Sequence, residues 1–187
     1  KIRLIDFLQL KKYSFDNKKI NLINVDLNQK KAFDIISNKS NNYIEKSFDI
    51  ALKILNQKVT NKFINGPISK KFFLNKKYLG ITEYLAHKTK TKNFAMLIYN
   101  KNLSVCPLTT HLPIKKVPKK INKRLIKDKV KLIDKFYRKY FYLKPLIALT
   151  GLNPHCESVD KYNEDEKIIK PSINSLIKSN YKIFGPY

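Results

Sequence analysis

The sequence is poor in several residue types, and each shortage excludes a class of protein. It has no tryptophan, four glycines and two cysteines in 187 residues. The two cysteines, Cys106 and Cys156, form no CxxC pair, which excludes a disulfide framework and fits a reducing compartment. No apolar run approaches the roughly 20 residues of a membrane span, so a transmembrane protein is excluded and a cytoplasmic location is expected. No signal-type apolar segment follows the first residue, Lys1, and we expect a piece of a longer product.

Acidic residues and arginine are also scarce. Asp and Glu number 14 against 39 Lys and Arg, and only three of those 39 are Arg, so the net charge is +25. A charge of this size favours a nucleic-acid partner, but proteins that read bases prefer the planar fork of Arg. A lysine-, asparagine- and isoleucine-rich composition also follows from A/T-rich codons, and we therefore do not expect a nucleic-acid partner. The alternative is a basic, non-catalytic module that binds nucleic acid or an anionic surface through residues 115–139, with steep salt dependence.

The hydrophobic content is high enough for a folded core. Hydrophobic residues make up 43% of the chain and aromatic residues 12%, which excludes a disordered protein. Strand-like apolar runs alternate with segments of helical periodicity, which predicts an α/β domain with a mostly parallel or mixed sheet. The predicted helices are 42–55, a long basic helix after Pro118, and 164–178 with an interruption near Pro171; the predicted strands are 20–25, 59–64, 94–99, 103–109, 146–149 and 181–184.

Three segments that follow predicted strands carry the candidate chemistry, because ligands in open α/β sheets bind beyond the carboxyl ends of the strands. These are residues 65–70, 109–113 and 151–155. In the first, Gly66 permits a sharp turn and Pro67 opens a helix, so that Ser69 and Lys70 present donors to an anion. The alternative for this segment is an ordinary turn.

Two of the three histidines occupy equivalent places in the other two segments. His111 and His155 each come shortly after an apolar run. Because imidazole is the commonest nitrogen ligand of divalent metals, the pair is a candidate metal site, with two structural histidines as the alternative. His87 lies in a helical segment and is predicted to be a surface residue.

Four motifs follow one another along the chain: Asn65-Gly66-Pro67-Ile68-Ser69-Lys70, Gly80-Ile81-Thr82-Glu83-Tyr84-Leu85-Ala86, Thr109-Thr110-His111-Leu112-Pro113-Ile114 and Gly151-Leu152-Asn153-Pro154-His155. In this order they resemble the 4-hydroxythreonine-4-phosphate dehydrogenase family of pyridoxal phosphate biosynthesis. The resemblance runs from about Ile20 to the end of the chain and includes residues 164–166. Family chains are longer: their glycine-rich beginning and the portion beyond Gly185-Pro186 are missing here, so residues 1–187 are predicted to form a partial unit truncated at both ends.

The resemblance implies a fold, a reaction and three site residues. The fold would be three-layer α/β/α, isocitrate-dehydrogenase-like and incomplete, in a homodimer with its site at the subunit interface. The reaction would be NAD- or NADP-dependent, metal-dependent oxidation of 4-phosphohydroxy-L-threonine with decarboxylation. Carried over by motif, His111 and His155 would bind the divalent metal (Zn, Mg or Co), and Thr82 would contact the phosphorylated substrate.

The sequence departs from the family pattern in two respects. Ile81 stands where the family has a substrate-contacting histidine, and an aliphatic side chain neither donates a hydrogen bond nor transfers a proton. The family's third metal-binding histidine and a substrate-binding lysine belong to the missing C-terminal portion. We therefore expect the 187 residues to be inactive alone, and the altered contact leaves a related dehydrogenase for another phosphorylated or carboxylated hydroxy acid as the alternative.

Overall fold

The computed structural model describes residues 1–16, 18–29, 31–75, 77–157, 159 and 162–187. The chain divides into two compact units, Lys1–Ile81 and Thr82–Tyr187. Over the described ranges, none of the helices combines the length and the apolar character that crossing a bilayer requires.

The first unit begins with a small parallel sheet and continues into a helix. Strands β1 and β2 pair in parallel, with Ile2 opposite Ile20 and Leu4 opposite Leu22. Two neighbouring parallel strands need a crossover connection between them. In this unit the connection contains a 3₁₀ segment. The elements are β1 (Ile2–Leu4), a 3₁₀ segment (Phe7–Lys12), β2 (Ile20–Leu22), a 3₁₀ turn (Asn38–Ser40), α1 (Asn41–Asn56) and a π-helical turn (Lys70–Leu74).

Helix α1 confirms the helix predicted over 42–55, and its apolar face builds the core of the first unit. Phe48, at the centre of that face, is 4% exposed. Its ring meets that of Phe63 edge-on at 5.6 Å and stacks on that of Phe73 at 6.0 Å. These three aromatic rings hold the segments on either side of residue 66 against α1.

The second unit contains most of the helices. A short parallel sheet packs with helices α4 and α5, and the long basic helix predicted after Pro118 is confirmed as α4. Asn122 caps α4, because its Oδ1 accepts the Leu125 N–H at 2.9 Å. The elements are α2 (Ile81–Lys88), a 3₁₀ turn (Ile114–Lys116), α3 (Val117–Lys120), α4 (Lys123–Phe141), β3 (Ile147–Ala148), a π-helical turn (Asp165–Ile169), α5 (Lys170–Lys178) and β4 (Ile183–Phe184).

The hydrophobic core of the second unit lies among α4, α5 and the sheet. Ile126 of α4, Ile173 of α5 and Ile183 of β4 are 0%, 3% and 1% exposed. Pro171 stands at the start of α5, immediately after the π-helical turn, and this confirms the interruption predicted there. The core also contains Ile121, Val130, Leu149, Ile169 and Leu176.

Strands β3 and β4 confirm two of the predicted strands and their parallel direction. Ile147 pairs with Ile183 and Ala148 with Phe184. The ladder continues past the named strands, because the Leu149 N–H donates to the Phe184 carbonyl at 2.9 Å. Strand β2 likewise confirms the start of the strand predicted over 20–25.

Three predicted strands are wrong. Residues 59–64 form no strand, and residues 94–99 and 103–109 share only one isolated antiparallel bridge, between Ile98 and Val105. A β-prone sequence becomes a strand only when a second backbone accepts its hydrogen bonds. The described residues place no such backbone beside residues 59–64.

Truncating the buried face of α5 tests the importance of this core. Ile173→Ala removes a side chain that is 3% exposed, and we expect it to lower the free energy of unfolding by about 2–5 kcal/mol. Ile177 on the same helix is 51% exposed, so Ile177→Ala is the matched control, with a loss below about 1 kcal/mol. Urea denaturation followed by circular dichroism measures both; equal losses would contradict this account of the core.

Candidate functional site

The loop that carries His155 starts directly from the sheet of the second unit. The Gly151 N–H donates to the Tyr187 carbonyl at 2.9 Å, which extends the β3–β4 pairing to the first residue of the motif. A Cβ on Gly151 would lie 2.5 Å from the Cys156 Sγ and 3.0 Å from an oxygen of Asp165. A side chain at this position would displace the Cys156 and Asp165 side chains, because the loop closes tightly over it.

A buried carboxylate accepts a backbone hydrogen bond from the same loop. Asp165, in the π-helical turn, is 2% exposed, and its Oδ1 accepts the Leu152 N–H at 3.1 Å. The Asp165 N–H in turn donates to the Asn163 Oδ1 at 2.8 Å. A carboxylate oxygen is a good acceptor for a backbone N–H, so this contact ties the loop to the π-helical turn.

Asn153 organises the exposed part of the loop. Its Oδ1 accepts the His155 N–H at 3.0 Å, and its Nδ2 donates to the Glu157 carbonyl at 2.8 Å. The first contact is a local turn in which an asparagine side chain replaces a backbone acceptor. The result is an exposed His155 on a backbone that is fixed at several points.

His111 is also exposed, and it sits in the left-handed region with φ of 55°. Histidine is among the few non-glycine residues that tolerate this region. The preceding residue, Thr110, donates from its hydroxyl to Glu83 Oε1 at 3.5 Å. Glu83 lies in the first turn of α2, next to the half-buried Thr82. The structure thus joins the loop that bears His111 to the helical turn that bears Thr82.

The residues present do not complete a metal centre. Throughout the part of the chain that the structure describes, no group of three or more His, Cys, Asp or Glu side chains could hold a metal ion. Two imidazoles fall short of the three protein ligands that a catalytic zinc takes. The assignment of His111 and His155 as two metal ligands therefore stays a prediction. His87, which was predicted to lie at the surface, is confirmed as exposed.

The segment at residues 65–70 belongs to the first unit and leads into a helical turn, but that turn starts at Lys70 and not at Pro67 as predicted. Ser69 caps the π-helical turn Lys70–Leu74, and its Oγ accepts the Phe72 N–H at 3.5 Å. In this cap the Ser69 oxygen is an acceptor, and the contact does not use the hydroxyl proton. Gly66 has open space around it, with no atom within 4 Å of the position that a Cβ would take.

Charges in the basic stretch 115–139 are partly paired within α4. Arg124 lies 3.7 Å from Asp128, and Arg138 lies 2.7 Å from Asp134, each one helical turn apart. Two of the three arginines are thus engaged by carboxylates of their own helix.

Sequence reasoning assigned no role to the two acids that support the site loops. In the sequence, Asp165 is only one residue of the acidic segment 164–166, and Glu83 is only one residue of a motif. The sequence does contain a signal for Asp165. Burying an acidic side chain in an apolar helical segment costs free energy unless a hydrogen-bond donor faces it, so the pattern predicts such a donor. Which donor it meets depends on the fold.

Burial raises the pKa of the Cys106 thiol above its ordinary value, and the nearby positive charge of Lys129 opposes this shift. Lys129 projects from α4, where its ammonium group donates to the Phe94 carbonyl and lies 5.4 Å from the centre of the Phe94 ring. Cys106 is therefore a protonated, half-buried thiol at neutral pH.

Comparisons with known proteins agree with one another. A family model described as "Pyridoxal phosphate biosynthetic protein PdxA" matches residues 2–187. The 4-hydroxythreonine-4-phosphate dehydrogenase of Sulfurihydrogenibium sp. (strain YO3AOP1) is 37% identical over 140 residues, which are 73% of this chain and 44% of that protein. The D-threonate 4-phosphate dehydrogenase of Pectobacterium atrosepticum is 29% identical over 110 residues, 58% of this chain and 34% of that protein.

A solved structure resembles the whole chain. The crystal structure of 4-hydroxythreonine-4-phosphate dehydrogenase from Klebsiella pneumoniae matches 100% of this chain with a TM-score of 0.82 and 25% identity. The match takes up 58% of that structure. The matches therefore cover little more than half of the solved protein and less than half of the Sulfurihydrogenibium relative.

The tight packing over Gly151 can be tested by adding one methyl group. Gly151→Ala places a carbon against Cys156 and Asp165, and we expect a loss of about 1–3 kcal/mol in the free energy of unfolding, with a shifted NMR resonance for the His155 ring. Gly66→Ala is the control, because nothing lies near its Cβ position. A Gly151→Ala protein as stable as the Gly66→Ala protein would contradict the packing.

The raised pKa of Cys106 predicts a pH profile for alkylation. Only the thiolate reacts with iodoacetamide, so the Cys106 rate should still be rising at pH values where an ordinary thiol, with a pKa of about 8.5, approaches its plateau. Lys129→Met removes the charge that lowers the pKa and should slow the reaction further, whereas Lys131→Met on the exposed face of α4 should not. Peptide mass spectrometry measures both rates; a plateau below about pH 8.5 would overturn the assignment.

Proposed function

Because the chain belongs to the pyridoxal phosphate biosynthetic protein PdxA family, we propose that it forms part of an NAD- or NADP-dependent dehydrogenase that oxidises and decarboxylates 4-phosphohydroxy-L-threonine in pyridoxal 5'-phosphate biosynthesis. The match over residues 2–187 is the observation that carries this proposal. The site geometry supports it, since the loops that bear His111 and His155 are each tied to a helical element by a side-chain carboxylate.

Each proposed site residue has a role that its position suits. Thr82, in the first turn of α2, contributes a hydroxyl that can donate to a substrate oxygen or accept from a substrate hydroxyl. His111 and His155 are two of the ligands of a divalent metal (Zn, Mg or Co), and both rings are exposed. Since the described residues contribute no third ligand, the metal centre is incomplete among them, and we expect the 187 residues alone to be inactive.

The backbone contacts supply the positioning that such a site needs. Asp165 and Asn153 fix the backbone on both sides of Pro154, so His155 is presented from a rigid loop. In the His111 loop, Glu83 makes a longer contact of 3.5 Å with the hydroxyl of Thr110. Positioning of this kind lowers the entropy that must be lost when substrate and ligands come together.

The wider architecture is part of the same proposal. The two small parallel sheets and the helices belong to a three-layer α/β/α fold of the isocitrate-dehydrogenase type, and the active protein is a cytoplasmic homodimer. Residues outside the 187 complete both the fold and the metal centre.

One residue favours a second candidate function. Ile81 is the first residue of α2 and precedes Thr82, so a hydrogen-bonding group is absent at the edge of the proposed substrate site. A related dehydrogenase for a different phosphorylated hydroxy acid would tolerate this change. The similarity to the Pectobacterium enzyme, which is named for D-threonate 4-phosphate, supports this candidate.

Activity assays separate these proposals. The test protein is a full-length chimera in which this chain replaces the matching part of the Sulfurihydrogenibium dehydrogenase. With a divalent metal, we expect the chimera to reduce NAD on addition of 4-phosphohydroxy-L-threonine and the 187-residue chain to show no turnover. His111→Ala and His155→Ala should each lower kcat/KM at least about 100-fold, as loss of a metal ligand does, and His87→Ala should leave it unchanged.

Two results would change the assignment. Turnover by the 187-residue chain alone would overturn the claim that its metal centre is incomplete. Preference of the chimera for D-threonate 4-phosphate, reversed by Ile81→His, would establish the second candidate in place of the first.

A further inference from the structure

One face of α4 consists of basic side chains only. Positions that recur at intervals of three and four residues form a straight row along a helix, and one such row on α4 has a lysine or an arginine at every position. All of these residues are exposed. The row, called here the basic face of α4, consists of Arg124, Lys127, Lys131, Lys135 and Arg138.

The two acidic residues of α4 neutralise only the ends of this row. Asp128 is paired with Arg124 at 3.7 Å, and Asp134 is paired with Arg138 at 2.7 Å. The three lysines between the arginines form no salt bridge with any carboxylate that the structure describes. The middle of the basic face therefore carries three unpaired positive charges, which follow one another at intervals of about 6 Å along the helix axis.

A row of this kind suits the phosphates of an extended nucleic-acid strand. The lysine spacing is close to the separation of neighbouring phosphates along a single strand, so each ammonium group can neutralise one phosphate. Lysine serves this contact as a flexible point charge, whereas base reading favours the planar fork of arginine. The scarcity of arginine in the sequence therefore argues against base readout and leaves backbone binding open.

The opposite face of α4 argues against a membrane as the partner. A helix that lies in a bilayer surface inserts its apolar side chains among the lipids. On α4 these side chains are already buried in the core of the second unit, where Ile126 and Val130 are 0% and 3% exposed. Only the charged side of the helix is available, and a partner must bind it through charge.

Aromatic rings are exposed at the C-terminal end of the same helix. Phe136 and Tyr140 are 39% and 43% exposed, and Tyr142, the residue after the helix, is 90% exposed. Exposed rings beside a basic surface are stacking platforms for unpaired bases. Such bases are available in a single strand, whereas in a duplex they are already paired and stacked.

We propose that the basic face of α4 binds a single-stranded nucleic acid, with phosphates on the lysines and unpaired bases on the rings at the C-terminal end. The binding does not depend on base sequence, because the contacts are made to the backbone and to the faces of the bases. This function is separate from the proposed dehydrogenase activity, since Thr82, His111 and His155 all lie outside α4. Failure of one proposal leaves the other standing.

The salt dependence of binding tests the proposal. Fluorescence anisotropy measures the affinity of the 187-residue chain for a labelled oligouridylate of about 20 nucleotides over a series of KCl concentrations. Each phosphate contact contributes about 0.7 to the slope of log affinity against log salt concentration. We therefore expect Lys127→Gln/Lys131→Gln/Lys135→Gln to make the slope shallower by about 2 and to weaken binding at least about tenfold at about 50 mM KCl.

Two further triple variants control for folding and for total charge. Arginine at the same three positions keeps the charges and should keep the slope. Lys39→Gln/Lys46→Gln/Lys62→Gln removes three charges from exposed positions of the first unit and should change the slope by less than about 0.5. Thermal unfolding followed by circular dichroism should give all three variants a Tm within about 3 °C of the unchanged chain, because every substituted side chain is exposed.

A single substitution tests the stacking contribution. Tyr142 has a φ of 57°, and Tyr142→Asn removes its ring while keeping a residue that tolerates this conformation. We expect the affinity for oligouridylate to fall about fivefold or more with an unchanged salt slope, because a ring contributes stacking and no charge.

Four outcomes would overturn the proposal. The first is an equal salt slope for the unchanged chain and the Lys127→Gln/Lys131→Gln/Lys135→Gln variant. The second is an RNA duplex of the same length that binds as tightly as the single strand. The third is binding to phosphatidylserine vesicles, but not to oligouridylate, that is lost in the same variant, since this would make a lipid surface the partner. The fourth is loss of binding in the full-length chimera, which would show that another part of the fold covers α4.

Discussion

The candidate site depends on the parallel backbone pairing between the segment at residue 149 and the C-terminal strand. Leu149 both donates to the Phe184 carbonyl at 2.9 Å and accepts from the Tyr187 N–H at 3.2 Å. Gly185 permits this approach, because a Cβ there would lie 2.2 Å from the Leu149 carbonyl oxygen. The pairing delivers Gly151 to the edge of the sheet, and the loop that bears His155 starts from that fixed point.

Two side-chain carboxylates accept hydrogen bonds from the loops that carry His155 and His111. Asp165 is buried and accepts a backbone N–H of the His155 loop, while Glu83 accepts the hydroxyl of Thr110 beside His111. In a chain with 14 acidic residues and a net charge of +25, two of these acids support candidate ligand loops. Of the charged residues, two of the rare acids contact the loops of the candidate site directly.

Several parts of the fold were predictable because they depend on local sequence. The periodicity around Phe48 predicts α1, the cap at Asn122 agrees with the start of α4, and Pro171 marks the break before α5. The strands at 59–64 and 103–109 were not predictable in the same way. Strand formation depends on a partner backbone that is remote in sequence, and here the described residues supply one bridge at Ile98 and Val105 and no partner for residues 59–64.

By itself, the sequence determined the order of the motifs, the helical periodicities and the chemical types available at each loop, since these are properties of neighbouring residues. It therefore marked His111 and His155 as site candidates, and the resemblance to the family added Thr82 and implied a third ligand outside the motifs. The tertiary structure decided which groups support those loops: Asp165 reaches Leu152 across 13 positions, and Thr110 reaches Glu83 across 27. Contacts over such separations follow from packing of the core, which brings remote segments together, and no local pattern encodes them.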